Sequence, residues 1–284
     1  MSENIEKFFL TRHSKSVQSG AEESKYKGLS HEGEELARKR AGEDLRVLVD
    51  NAPQNAVVFL VGASERPRTK STLEIYGDEL KEIYKDSSLV NVITASEIVE
   101  VLKEQTSITH AIEILRDKIG SSNGKTVIDF PLFIKQFDFG VRWGYWSNDA
   151  GKRFEDLMKK YNDDEKAAFL HWLEHAHDEG SKFPDPNSVA DEYLEGLRRI
   201  SDFAHNKLSN DRPVIISAVG HRWDLDVLVT KLATGDVNVD NFNKVTGGSL
   251  INEAEPITIS TEGKQQTLRY RENKYVIANG SVKN

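Results

Sequence analysis

The chain has 284 residues, 38% apolar and 30% charged, with 46 acidic against 38 basic side chains and a net charge of −8. That balance offers no basic stripe to cover a nucleic-acid backbone. The absence of cysteine removes disulfides, thiolate nucleophiles and thiolate metal sites. No apolar run has the length of a membrane span, and "MSENIEK" contains no signal core, so a soluble cytoplasmic protein is expected.

In chain order, the first strand is expected at Phe8–Thr11. Ala37, Ala41, Leu45 and Leu48 then recur at helical spacing. Val57–Val61 is a continuous apolar run, as in a strand buried on both faces, and a helix follows through Leu73, Leu80 and Ile83. Ile108, Ile112, Leu115 and Ile119 mark a further helix, and residues 163–177 another. Ser188 and Asp191 read as a capping box. They open a helix with Val189, Tyr193, Leu197, Ile200, Ala204 and Leu208 on one side. A second buried strand, Val214–Val219, precedes a helix over Trp223–Leu232, and "ITIS", "QTLRY" and "KYVIA" near the end read as an antiparallel edge. The expected architecture is α/β, a three-layer αβα sandwich with a mostly parallel central sheet. A single domain over residues 1–284 is expected, with helical insertions at about 86–125 and 147–185.

Polar clusters follow the three best strands: Arg12-His13 after the first, "ASERPR" ending at Arg68 after the second, and "GHRWD" with His221 after the third. In open α/β sheets, ligands bind outside the carboxyl ends of the strands. The three clusters can therefore form one pocket. Two arginines and two histidines together suit a phosphate dianion. Guanidinium forks match its oxygens, a neutral imidazole can attack phosphorus, and a second imidazole can donate to the charge that develops there.

The order and spacing of these segments resemble the histidine phosphatase superfamily, which includes the cofactor-dependent phosphoglycerate mutases. "LTRHSKS" is similar to its Arg-His-Gly motif, and "KGLSHEGEELA" (Lys27–Ala37) to its Leu-Thr-x-x-Gly-x-x-x-Ala segment. Ser64, Arg68 and Thr72 stand at the spacing of its Ser-Pro-Leu-x-Arg-x-x-x-Thr stretch, and "VGHRW" resembles its closing strand-His motif. The resemblance implies a phosphatase that needs neither metal nor cofactor. His13 would be the nucleophile that becomes a phosphohistidine. Arg12 and Arg68 would clamp the phosphoryl oxygens, and His221 would bind phosphate and stabilise the transition state. The ligand would be a small phosphorylated molecule or a phosphopeptide.

Two departures stand out. Ser14 replaces the glycine after the first histidine. "QFDFGVRWG" keeps Gly140 and Gly144 but places Gln136 where the superfamily has its acidic glutamate. An amide transfers no proton, and such a donor contributes about 10²–10⁴-fold. Asp138, two residues on and expected on the same strand face, is the leading substitute. Glu97 and Asp224 are weaker candidates. Without a donor, the alternative is a phosphate-binding or regulatory protein of little or no activity. His171, His175 and His177 offer one way to build a metal site, but "LHWLEHAHDEG" reads more simply as an amphipathic helix end. "RWGYW" (Arg142–Trp146) is a substrate-facing loop or packing.

Overall fold

The computed structural model describes residues 7–18, 22–63, 66–104, 107–138, 149–179, 181, 183–262 and 265–277. Strand β1 (Lys7–Arg12) leads to α1 (His31–Arg40), which passes through a π-helical turn into α2 (Arg46–Asp50). Then come β2 (Val57–Gly62), α3 (Pro67–Ile83), β3 (Val90–Ile93), α4 (Ala95–Glu104), α5 (Ile108–Gly120) and β4 (Lys125–Phe133). A 3₁₀ turn, Lys135–Phe137, follows β4. Next are α6 (Asp149–Lys160), α7 (Glu165–His175), α8 (Pro186–Phe203), β5 (Val214–Gly220), α9 (Arg222–Thr234) and α10 (Val239–Thr246). The last elements are β6 (Pro256–Glu262), β7 (Gln265–Tyr270) and β8 (Asn273–Ile277).

The strands form one eight-stranded sheet in the order β3-β4-β2-β5-β1-β6-β7-β8. The first five in that order are parallel, and β6, β7 and β8 continue as the antiparallel edge. Alternate residues of the central strands enter opposite cores. Phe8, Leu10, Phe59, Val61, Ile216 and Ala218 pack with α4, α5, α8 and α9. Phe9, Val58, Leu60, Ile215 and Val219 pack with the α1–α3 layer. Burial on both faces is why these runs read as unbroken apolar stretches, and the expected three-layer sandwich is observed. A third cluster joins α6, α7, the start of α8, α9 and α10 around Phe169, Trp172, Trp223 and Phe242.

Two details differ from the sequence reading. Residues 90–93 and 125–133 are strands of the central sheet that no periodicity announced. The helix expected to open at Ser188 starts at Pro186. Its cap is Asp185, whose carboxylate accepts the Asn187 and Ser188 N–H groups at 3.1 and 3.3 Å. A proline fits the first helical position because no intrahelical bond is lost there. Among the described residues, no helix is long and apolar enough to cross a membrane.

Candidate active site

β5 lies between β1 and β2, with Arg12 paired to Gly220 and Gly62 to Val219. The three strands therefore end side by side. The ladder runs one residue further on both flanks: His13 N–H donates to the Gly220 carbonyl at 3.0 Å, and Ala63 N–H to that of Val219 at 2.8 Å. Arg12, His13, Arg68 and His221 consequently line one cavity of about 420 Å³, together with Asp138 and Asp224.

His13 is 3% exposed. Its Nδ1 lies 2.7 Å from the Ser14 carbonyl, a contact that requires Nδ1 to carry the proton. Nε2 is then left with its lone pair. Burial first, then the charges of Arg68, His221 and Arg12, hold the imidazole well below its ordinary pKa of 6.5, although the hydrogen bond to Ser14 pulls the other way. A neutral imidazole with its reactive nitrogen defined is what attack on phosphorus requires.

The residues after His13 fix its loop. Ser14 is fully buried, donates through Oγ to the Gly33 carbonyl at 2.6 Å, and sends its N–H to Thr72 Oγ1 at 3.0 Å. The hydroxyl that departs from the motif thus ties the loop to α1, while the backbone N–H ties it to α3. Gly33 has a steric reason: a Cβ there would stand 2.0 Å from the Lys15 carbonyl oxygen. Gly28, at φ +84°, takes a left-handed conformation in which a Cβ would meet the Arg68 N–H at 2.7 Å.

Arg66 caps α3 and Arg68 stands in its first turn, which has no acidic residue. Arg222 is the first residue of α9. Cations at the positive end of a helix are unfavourable unless an anion joins them. That breach of the capping rule was the sequence signal for Arg66 and Arg222, which the sequence reading did not place in the site. Arg68 Nε is buried without a hydrogen-bond partner among the described residues. Burial, with Arg66 and Arg12 nearby, lowers its pKa to about 10. Arg12 donates to the Ile251 carbonyl at 3.3 Å and pairs with Glu253 at 3.0 Å. Arg222 donates to the same carbonyl at 3.1 Å and pairs with Glu165, a lining residue that no motif announced.

His221 stands across from His13, with ring centroids 5.3 Å apart at 65°. Burial pushes its pKa down to about 4, against an upward pull from Asp138. Its Nε2 lies 3.2 Å from Asp138 Oδ2. The same carboxylate, 2% exposed, meets Arg66 Nε at 3.2 Å and Nη2 at 3.3 Å. Gln136 and Asp138 do not share a strand face, because residues 135–137 form a 3₁₀ turn. Gln136 turns toward α8, where a Cβ on Gly196 would come within 2.8 Å of its Cβ, and Phe137 stacks on Tyr193 at 4.3 Å. The turn delivers Asp138, and not Gln136, to the cavity.

Asp224, in the first turn of α9, also lines the cavity and is 1% exposed. Glu97 does not reach it: Glu97 accepts from the Thr94 N–H and pairs with Lys81 near the start of α4. His171 and His175 sit with ring centroids 4.2 Å apart, and His175 pairs with Asp178. Among the described residues, no group of three His, Asp or Glu is placed to hold a metal ion. Ser64, Gly140, Gly144 and the Arg142–Trp146 stretch lie outside the described residues.

Strand-end arginines, two helix N-termini and a neutral histidine thus face one cavity at the edge of an α/β sheet. Protein-family models and curated proteins give no match to the chain. Among solved structures it is similar to a phosphoglycerate mutase from Bacillus anthracis str. Sterne, at 12% identity over 94% of this chain and 93% of that one, with a TM-score of 0.45. It is also similar to a mycobacterial glucosyl-3-phosphoglycerate phosphatase, at 11% identity over 90% of each chain and a TM-score of 0.43. A third similar structure is a mycobacterial hydrolase, at 13% identity over 99% of this chain and 93% of that one, with a TM-score of 0.43. What the pocket can do is read from its own residues.

Proposed function

We propose that the protein is a divergent histidine phosphatase that hydrolyses a phosphomonoester without a metal, through a phosphohistidine at His13. The observation that carries this is the Nδ1 contact of His13 with the Ser14 carbonyl, which leaves Nε2 unprotonated in a pocket walled by arginines. In the first step, Nε2 bonds to phosphorus as the bond to the ester oxygen breaks. Asp138 gives that oxygen its proton, so the leaving group departs as a neutral alcohol or phenol. In the second step, Asp138 takes a proton from water, whose oxygen attacks phosphorus. The P–N bond breaks, inorganic phosphate forms, and His13 returns to its neutral state. Arg12 and Arg68 hold the phosphoryl oxygens, and His221 donates from Nε2 to the charge building on them.

The binding-only alternative took its motive from the amide at position 136. The carboxylate at 138, in contact with His221 and Arg66, supports the catalytic reading. The test is H13A with an activated aryl phosphate, measured with and without chelator. Hydrolysis should disappear in the variant, and the wild type should yield an acid-labile phosphoenzyme and ignore chelator. Unchanged turnover in H13A, or a wild type silenced by chelator, would refute the assignment.

A further inference from the structure

The cavity is larger than a phosphoryl group needs. Its volume of about 420 Å³ falls within the roughly 300–1,000 Å³ range of sites that take a small organic molecule. The strand ends supply the phosphoryl half. Phe154 and Met158 of α6 and Trp223 of α9, members of one apolar cluster, also line the cavity. The Phe154 ring stands edge-on to the Trp223 indole at 5.2 Å. Trp223 is itself stacked on Trp172 at 5.4 Å and 13°, so this wall is the rim of an aromatic cluster and is held rigidly.

The polar groups on that side have prior engagements. Arg222 pairs with Glu165 and lies 3.7 Å from Glu253, which also holds Arg12. It therefore offers no open fork to a second anionic group on the ligand. Glu165 already gives one carboxylate oxygen to that pair. The only hydroxyl among the described lining residues is that of Ser16. A sugar or glycerol body would lose water from several hydroxyls and find few partners for them, which is unfavourable. A flat apolar body would lose nothing and would gain contact with two aromatic rings and a deformable thioether.

Resting on the phosphatase reading, we propose that the substrate is a phosphomonoester of an aryl or aralkyl alcohol with no second charged group near the ester. Its ring lies on Phe154, Met158 and Trp223.

Phosphonates test this by binding alone, so the result does not depend on turnover. Affinities of inorganic phosphate, benzylphosphonate, 3,4-dihydroxybutylphosphonate and 3-phosphonopropionate are measured by calorimetry on the wild type, F154A and F154L. Benzylphosphonate should bind about tenfold or more tighter than the diol and the carboxylate. The ratio of benzylphosphonate to phosphate affinity should fall about tenfold in F154A and less in F154L. M158Q, which keeps the length of the side chain and adds polarity, should lower the same ratio. A wild type that prefers the diol or the carboxylate overturns the proposal, and so does an unchanged ratio in folded F154L and M158Q. Binding as proposed with no ester hydrolysed would refute the phosphatase reading and leave the ligand class standing.

Discussion

Asp226 gives the sharpest quantitative expectation. It sits on α9 behind the arginines, 1% exposed, and its Oδ1 accepts the Ile251 N–H at 3.0 Å. Its Oδ2 has no hydrogen-bond partner among the described residues. Burial raises its pKa from 3.8 to about 8, although the Ile251 N–H, Arg222 and Arg12 pull it down. Between about pH 4 and pH 8 the native protein therefore holds a proton that the unfolded chain has released, and stability falls as pH rises through that window. A lift of about four pH units at about 1.4 kcal/mol each sets a limit near 6 kcal/mol. At about 2.1 cal/mol/K per residue, unfolding a chain of this length has an entropy near 0.6 kcal/mol/K, so the limit corresponds to about 10 °C in Tm. D226N keeps an oxygen for the Ile251 N–H and cannot ionise. Thermal unfolding of both proteins from pH 4 to pH 9 should show D226N gaining on the wild type as pH rises, with the largest gap above pH 8. Contributions from other titrating groups cancel in the difference. A gap that stays constant across the range would show that Asp226 does not titrate as its burial requires.

Two further outcomes concern the chemistry. D138N should reduce hydrolysis of alkyl phosphates by about 10²-fold or more while sparing activated aryl esters, whose leaving groups depart without a proton; if D224N shows this pattern and D138N does not, the acid is Asp224. Because His13 is held well below 6.5, kcat/KM for an activated ester should stay level as pH falls through 6.5 and decline only well below it, and R68A should move that decline to higher pH by removing a positive neighbour. A wild-type decline centred at 6.5 would count against the buried, arginine-flanked nucleophile.

The parallel core was legible because its strands are short apolar runs followed by polar clusters, and those clusters named Arg12, His13, Arg68 and His221. β3 and β4 were not. β3 is four residues long with an exposed Asn91, and β4 carries a buried carboxyl, Asp129, in its middle, so neither presents an unbroken apolar run. Asp138 was named from the sequence, but the strand face it was expected to share with Gln136 was not what formed. Counting along an extended strand puts residues 136 and 138 on one side, but a 3₁₀ turn has three residues per turn and separates them. That turn depends on Gly196, sixty residues later, whose missing side chain leaves room for the Phe137 ring; a Cβ there would lie 2.7 Å from it. No local pattern carries such information. Arg66 and Arg222 were legible in principle, since each sets a positive charge at the positive end of a helix.

The pairing of Asp138 bears on what the site does well. Arg66 approaches it through two nitrogens and His221 through a third. These contacts suit a carboxylate about to take a proton from water, the task given to it in the second step of the proposed reaction. They are a hindrance in the first, where the same group must hold a proton and release it to the ester oxygen, because a protonated carboxyl has less to offer two donors that face it. The constraint weakens as the leaving group becomes more acidic, and a phenol oxygen needs little of the proton that an alcohol oxygen needs in full. The apolar wall of Phe154, Met158 and Trp223 favours a ring in that same position on grounds of contact alone. In the proposed reaction, electrostatics and packing on the leaving-group side thus favour the same end of the substrate range, the aryl esters, although they involve different residues. An aryl ester with kcat limited by the second step, shown by a burst of phenol equal to the enzyme concentration, is the kinetic form this arrangement should take. A steady release of phenol from the first turnover would place the slow step before the phosphohistidine and contradict it.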